Sequence, residues 1–151
     1  MKKFVFTLQP VLDQRQRVEN EKQQIVAQRR RALDDAEAEL KRLNDQFRES
    51  SERLRTEHRD LSAEELRLHY AHLSFLDRTI VAQIAVVAER RVSLDRARAD
   101  LLAASKERKV VEKLKDRRHE AYVAEAARLE QNALDDNNAR RHARGALGGS
   151  L

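Results

Sequence analysis

The sequence contains no cysteine and no tryptophan, one proline and three glycines, and aromatic side chains make up 4 % of its 151 residues. Each shortage excludes something. Without cysteine there are no disulfides and no thiolate metal sites, which fits a reducing compartment. With so little Pro and Gly the chain cannot turn between many short elements. With four Phe, two Tyr and no Trp it has few large side chains for a globular core and few rings on which nucleic-acid bases could stack. No unbroken apolar run approaches the roughly 20 residues that span a bilayer, so no transmembrane segment is expected. Met1–Thr7 offers two lysines and only a short apolar run, so it does not read as a signal peptide. The expectation is a soluble cytoplasmic protein.

What is abundant is charge. Asp, Glu, Lys and Arg make up 38 % of the chain and hydrophobic residues 40 %. An excess of Ala, Glu, Lys, Leu and Arg marks long helices and coiled coils. Such charge also suits disorder, but here the apolar residues recur with a period. The net charge is +5 and the pI about 9.8. Residues 1–60 carry 14 basic and 12 acidic side chains, and residues 61–151 carry 17 and 14. Interleaved signs indicate solvated helix faces rather than a basic arm. Local clusters occur at Arg29-Arg30-Arg31, Arg90-Arg91, Arg117-Arg118 and Arg140-Arg141 with Arg144.

Thr7 can cap a first helix, and Pro10 is tolerated in its first turn, where amides need no intrahelical acceptor. Val11, Val18, Ile25 and Ala32 then step by seven, as do Leu33, Leu40, Phe47, Leu54 and Leu61. Seven-residue steps are the seam of a left-handed coiled coil. The slip between Ile25 and Leu33 reads as a phase break of one residue. Asp13→Arg17, Glu37→Lys41 and Glu49→Arg53 supply i, i+4 support. At Asp60-Leu61-Ser62 the chain turns, because Ser62 and Glu65 have the spacing of a capping box and open a new helix. In the second helix Leu73, Ile80, Val87, Leu94 and Leu101 step by seven, with Tyr70, Ile84, Arg91 and Arg98 at the other seam position.

The fold class is therefore all-α: two long helices in an antiparallel coiled-coil hairpin, the second longer than the first. One hairpin covers residues 1–140, with helices at about 8–60 and 62–139 around a turn at about 60–62. Gly145, Gly148, Gly149 and Ser150 mark a flexible tail over 141–151. Pairing outward from residue 62 sets Leu54 near Tyr70, Leu40 near Ile84 and Val11 near Glu112. Residues beyond about 118 then lack an intramolecular partner, although Tyr122, Leu129 and Leu134 still carry apolar surface there.

The sequence holds no phosphate-cradling loop and no nucleophile motif. His69 and His72, with Glu65 one turn earlier, have a spacing that zinc could use; two polar side chains beside a turn explain it more simply. Asp34-Asp35 and Asp135-Asp136 are sequence neighbours and diverge by about 100° on a helix, so neither is an acid–base pair. The chain reads as a binding protein with no cofactor, not an enzyme. Nucleic-acid binding needs a one-sided basic stripe or stacking rings, and the pattern supplies neither.

Two segments resemble a known family. Phe4-Val5-Phe6-Thr7-Leu8-Gln9-Pro10-Val11-Leu12-Asp13-Gln14-Arg15 has an F-x-F-x-L-x-x-V-L-x-x-R opening. Glu107 to Arg118, followed by Tyr122, Glu125, Glu130-Gln131 and Leu134-Asp135-Asp136, forms the second. Together they resemble the FliJ family of bacterial flagellar export proteins, over about residues 4–140. The resemblance implies an antiparallel coiled coil similar to the central stalk of rotary ATPases. It implies a cytoplasmic component of the flagellar type III export apparatus, peripheral to the cell membrane at the flagellar base. The implied partners are the hexameric export ATPase (FliI-like) with its regulator (FliH-like), the export-gate protein (FlhA-like) and export chaperones. Residues matched to ring binding are Val11, Arg15, Leu114, Arg117, Arg118 and Tyr122. Those matched to the gate contact are Tyr70, Leu73, Phe75, Leu76 and Ile80. Injectisome stalk proteins share the architecture and are the alternative reading; a basic nucleic-acid-binding coiled coil is a further one.

Overall fold

A computed structural model describes residues 2–147. It contains helix α1, Gln9–Glu57, and helix α2, Ala63–Leu147, with no strand among the described residues. The helices pack against each other, and the second is the longer. Contacts group the chain into two units, residues 18–104 and residues 1–17 with 105–151.

The unit over residues 18–104 is the closed end of the hairpin. α1 ends at Glu57, three residues before the expected limit at 60. The reason is local. Thr56 donates its hydroxyl to the carbonyls of Glu52 and Arg53, and His58 Nδ1 donates to the Arg55 carbonyl. Asp60 N then donates to the Glu57 carbonyl at 3.0 Å, a tighter turn in place of the next helical bond. Residues 58–62 reverse the chain, and a link that short makes the helices antiparallel neighbours. The capping box then forms. Ser62 N donates to Glu65 Oε2 at 2.7 Å, and Glu65 N donates to Ser62 Oγ at 3.2 Å.

The core of this unit is a seam. Leu33, Ala36, Val87 and Leu94 form its buried cluster, with Val26, Leu40 and Val86 packed against it. On α1 the slots run without a break through Glu19, Val26, Leu33, Leu40, Phe47 and Leu54, in steps of seven. The expected phase break near Ile25 is therefore absent. Val18, Ile25 and Ala32 flank the seam one residue away from it. A glutamate hid the true frame: Glu19 is only 7 % exposed and fills a core slot. On α2 the run Leu73, Ile80, Val87, Leu94, Leu101 lies on the seam as spaced. The companion slots are His69, Leu76, Gln83, Arg90, Ala97 and Ala104, not Tyr70, Ile84, Arg91 and Arg98. Ile84 is 52 % exposed. Gln83 takes the inner place because its amide Nε2 donates to the Ala36 carbonyl at 3.0 Å. Among the anticipated helix-face pairs, Glu49–Arg53 forms at 3.7 Å, while Glu37 pairs across the hairpin with Arg91 at 3.0 Å.

The unit made of residues 1–17 and 105–151 holds the chain ends. Leu8 caps α1: its carbonyl accepts from Leu12 N at 3.0 Å, which leaves Pro10 in the first turn. Contacts fall on one helix as they rise on the other: Arg15 with Glu107, Gln9 with Lys115, Thr7 with Arg118. α2 runs on to Leu147, beyond the limit expected at about 139. Ala139 to Ala146 is rich in Ala and Arg, both strong helix formers. The single Gly145 costs about 1 kcal/mol, too little to stop the helix. The remaining positions assigned to a tail, residues 148–151, lie outside the described residues.

Candidate protein-docking surfaces

At the chain ends, residues 2–6 lie along α2 outside any helix, and a turn at Thr7 and Leu8, where Gln9 N donates to the Phe6 carbonyl at 3.0 Å, leads into α1. Their side chains alternate, as in any extended segment. Phe4, Phe6 and Leu8 turn inward while Val5 is exposed. Phe6 is 6 % exposed and lies under the Arg118 guanidinium, 5.8 Å from the ring centroid. A guanidinium over a ring gains cation–π attraction. Arg118 also donates to Thr7 Oγ1 at 3.2 Å. Phe4 meets His119 edge-on, with centroids 5.0 Å apart, and leans on Tyr122 at 5.5 Å. Tyr122 donates its hydroxyl to the Lys2 carbonyl at 2.9 Å.

This strap changes the expected overhang. Residues beyond about 118 are expected to lack an intramolecular partner, yet the Phe4 ring meets His119 and Tyr122, and Tyr122 bonds to the Lys2 carbonyl. Ala126 is still half-buried, and every residue from 127 to 146 is exposed. Val123, Leu129 and Leu134 carry the apolar surface of this stretch.

Of the six residues matched to ring binding, two are anchored to the strap, Arg118 and Tyr122. Arg15 forms an ion pair with Glu107 at 2.6 Å on the surface. Val11, Leu114 and Arg117 are exposed. All six thus belong to one unit. Phe4, Phe6, His119 and Lys115 pack or bond beside these residues and were not named as site residues from sequence. The usable signal was the F-x-F-x-L alternation itself, whose period of two is that of an extended segment and not of a helix.

The residues matched to the gate contact divide differently. Leu76 is 2 % exposed and belongs to the core, so it presents no surface. Leu73 and Ile80 are half-buried on the seam. Tyr70 and Phe75 are exposed, and Phe75 stands 57 % open. Leu68 and Val81 are exposed nearby and were not named from sequence. An 18-residue window of α2 is apolar and long enough to cross a membrane by length and composition, and 11 % of it is buried. The sequence holds no unbroken apolar run of that length, which is why no transmembrane segment is expected from it. In the fold Leu76 and Val87 are buried, while Phe75, Val81 and Ile84 stand exposed on the same part of α2.

Electrostatics add little at these surfaces. Glu65 is held below the usual carboxylate range, first by the hydrogen bond from the Ser62 backbone amide and then by the Ser62 hydroxyl. Glu39 is likewise lowered, chiefly by its hydrogen bond with Arg42. Among the described residues no three His, Asp or Glu side chains converge as metal ligands, so Glu65, His69 and His72 do not make a zinc site.

Comparisons with known proteins agree with this architecture. A family model described as flagellar FliJ protein matches residues 4–147. A solved structure from Chlamydia trachomatis, described as a YscO homolog, is similar in fold. Its TM-score is 0.59 at 19 % identity, covering 96 % of this chain and 99 % of that one. No curated protein matches the sequence.

Proposed function

The chain belongs to the FliJ family of flagellar proteins, and from that premise we propose that it is a non-catalytic stalk of the type III export apparatus that docks on the hexameric export ATPase. The observation that carries this reading is the surface at the chain ends. There the strap, with Phe4, Phe6 and Lys2, fixes Arg118 and Tyr122, and Val11, Leu114 and Arg117 stand exposed beside them. A preordered surface pays less entropy on binding than a loose one. Beyond it, Val123, Leu129 and Leu134 offer apolar side chains on a single helix, a form suited to insertion between other subunits.

The second contact, to the export gate, is assigned to the exposed apolar residues early in α2, namely Tyr70 and Phe75 with Leu68 and Val81. Leu73 and Ile80 support them from the seam. Export chaperones and the ATPase regulator complete the proposed partners. The protein would act in the cytoplasm, peripheral to the membrane at the export base. The architecture serves an injectisome stalk equally well, and the fold likeness to the chlamydial structure favours keeping that second reading.

The test is direct. The cognate export ATPase is mixed with this protein, and hydrolysis and co-migration with hexamers are measured. The proposal expects both stimulation and co-migration; absence of both sinks it. Complementation of a flagellar against an injectisome deletion separates the two stalk readings.

A further inference from the structure

One face of α2 repeats the seam spacing although α1 does not cover it. Val81, Ala85, Ala88, Val92, Ala99 and Leu102 follow steps of four and three, with Asp95 filling the one remaining slot. Val81, Val92 and Leu102 are each more than half exposed. A mean spacing of 3.5 residues is that of helix-to-helix packing. α2 uses its first such seam on α1; this is a second. Beside it α1 contributes Ile25, which lines one groove with Ala88 and Val92. The rim of that groove carries Arg29, Glu89, Arg96 and Asp100.

We infer that this face takes a second copy of the chain, packed antiparallel about a two-fold axis beside Val92 and Ser93. The rim charges favour that occupant. Two cations and two anions select neither an acidic nor a basic partner, but they are self-complementary. Glu89 and Arg96 are seven residues apart and so lie on the same flank of the stripe. An antiparallel mate centred between them sets Glu89 of each copy against Arg96 of the other, twice. Such reciprocity is the mark of an isologous contact. In the same register Val92 faces Ser93 of the second copy, and Ala88 faces Ala97. Large against small, and small against small, lets the helices approach closely.

Asp95 limits the affinity. Its carboxylate stands in the stripe, 3.6 Å from Arg98 of the same helix. Burying it costs free energy unless it stays paired. The dimer is therefore weak and concentration-dependent. This inference does not rest on the export reading.

Sedimentation of the full chain, from micromolar to hundreds of micromolar, tests it. The expected result is a monomer–dimer equilibrium that Val92→Glu abolishes with helical circular dichroism unchanged. Arg96→Glu or Glu89→Arg alone weakens the dimer by about tenfold, the double exchange restores it, and Asp95→Val strengthens it. A monomer at every concentration overturns the inference. So does a dimer indifferent to Val92→Glu, and so does a double exchange that restores nothing.

Discussion

The hydroxyl of Tyr122 donates to the backbone carbonyl of Lys2 at 2.9 Å, joining residues that stand 120 positions apart in sequence. With the Phe4 ring against His119 and Tyr122, this bond fastens the N-terminal strap to α2. Tyr122→Phe keeps the ring and removes the bond. It is expected to cost the strap about 1 kcal/mol of local protection, read as faster amide hydrogen exchange over residues 2–8. The helical signal should not change. Exchange as slow as in the parent chain would show that the bond does not hold the strap.

Neighbouring strap residues should behave oppositely. Phe6 is buried and Val5 is exposed. Phe6→Ala removes a ring from under Arg118 and should cost about 2–3 kcal/mol of strap docking. Val5→Ala should stay within about 0.5 kcal/mol. Limited proteolysis of the N-terminal segment reports both. Equal effects would mean that the segment is not extended along α2.

The seam frame has its own test. Leu94, in the buried cluster with Leu33, Ala36 and Val87, is 2 % exposed. Leu94→Ala should cost about 2–4 kcal/mol and lower the thermal midpoint accordingly. Ile84→Ala should cost no more than about 0.5 kcal/mol, although isoleucine is the more apolar choice at that turn than its neighbour Gln83. Similar melts for the two variants would reinstate Ile84 as a core residue.

Much of the fold was legible because coiled coils announce themselves by spacing. The reversal at Ser62, the tolerated Pro10 and the Leu73-to-Leu101 run all follow from local rules. Three features were not legible, each for a stated reason. A charged residue at a core slot, Glu19, disguised the frame of α1, and apolar neighbours at Val18 and Ile25 suggested a false one. Gln83 displaced Ile84 through a hydrogen bond that only the folded hairpin supplies. The strap was read as a helix start because Thr7 and Pro10 drew attention to the cap. Phe4 and Phe6, at a period of two, were read as a motif and not as a segment with its own packing. The family motifs thus fall on the unit that holds the chain ends, while the packing of Phe4 and Phe6 against α2 is set by the fold.

Acid should loosen the closed end. The carboxyl of Glu65 is lowered in the folded state by its bonds to Ser62. A lowered folded value means that this stability is fully present above the unfolded carboxylate value and is lost as pH falls through the folded one. Ser62→Ala removes the cap and should cost about 1 kcal/mol near neutrality. Its stability should also vary less across the acid range than that of the parent chain. Equal acid dependence in the two would mean that Glu65 draws nothing from Ser62.

The central claim is that the surface at the chain ends, and not the early part of α2, meets the export ATPase. The most direct measurement compares Arg117→Ala and Phe75→Ala in ATPase titrations beside the parent chain. Both side chains are exposed, so neither change should disturb the fold. Arg117→Ala should raise the concentration needed for half-maximal stimulation by about tenfold, a loss of about 1.4 kcal/mol. Phe75→Ala should leave that concentration unchanged. The reverse order, or no stimulation by the parent chain, would contradict the account.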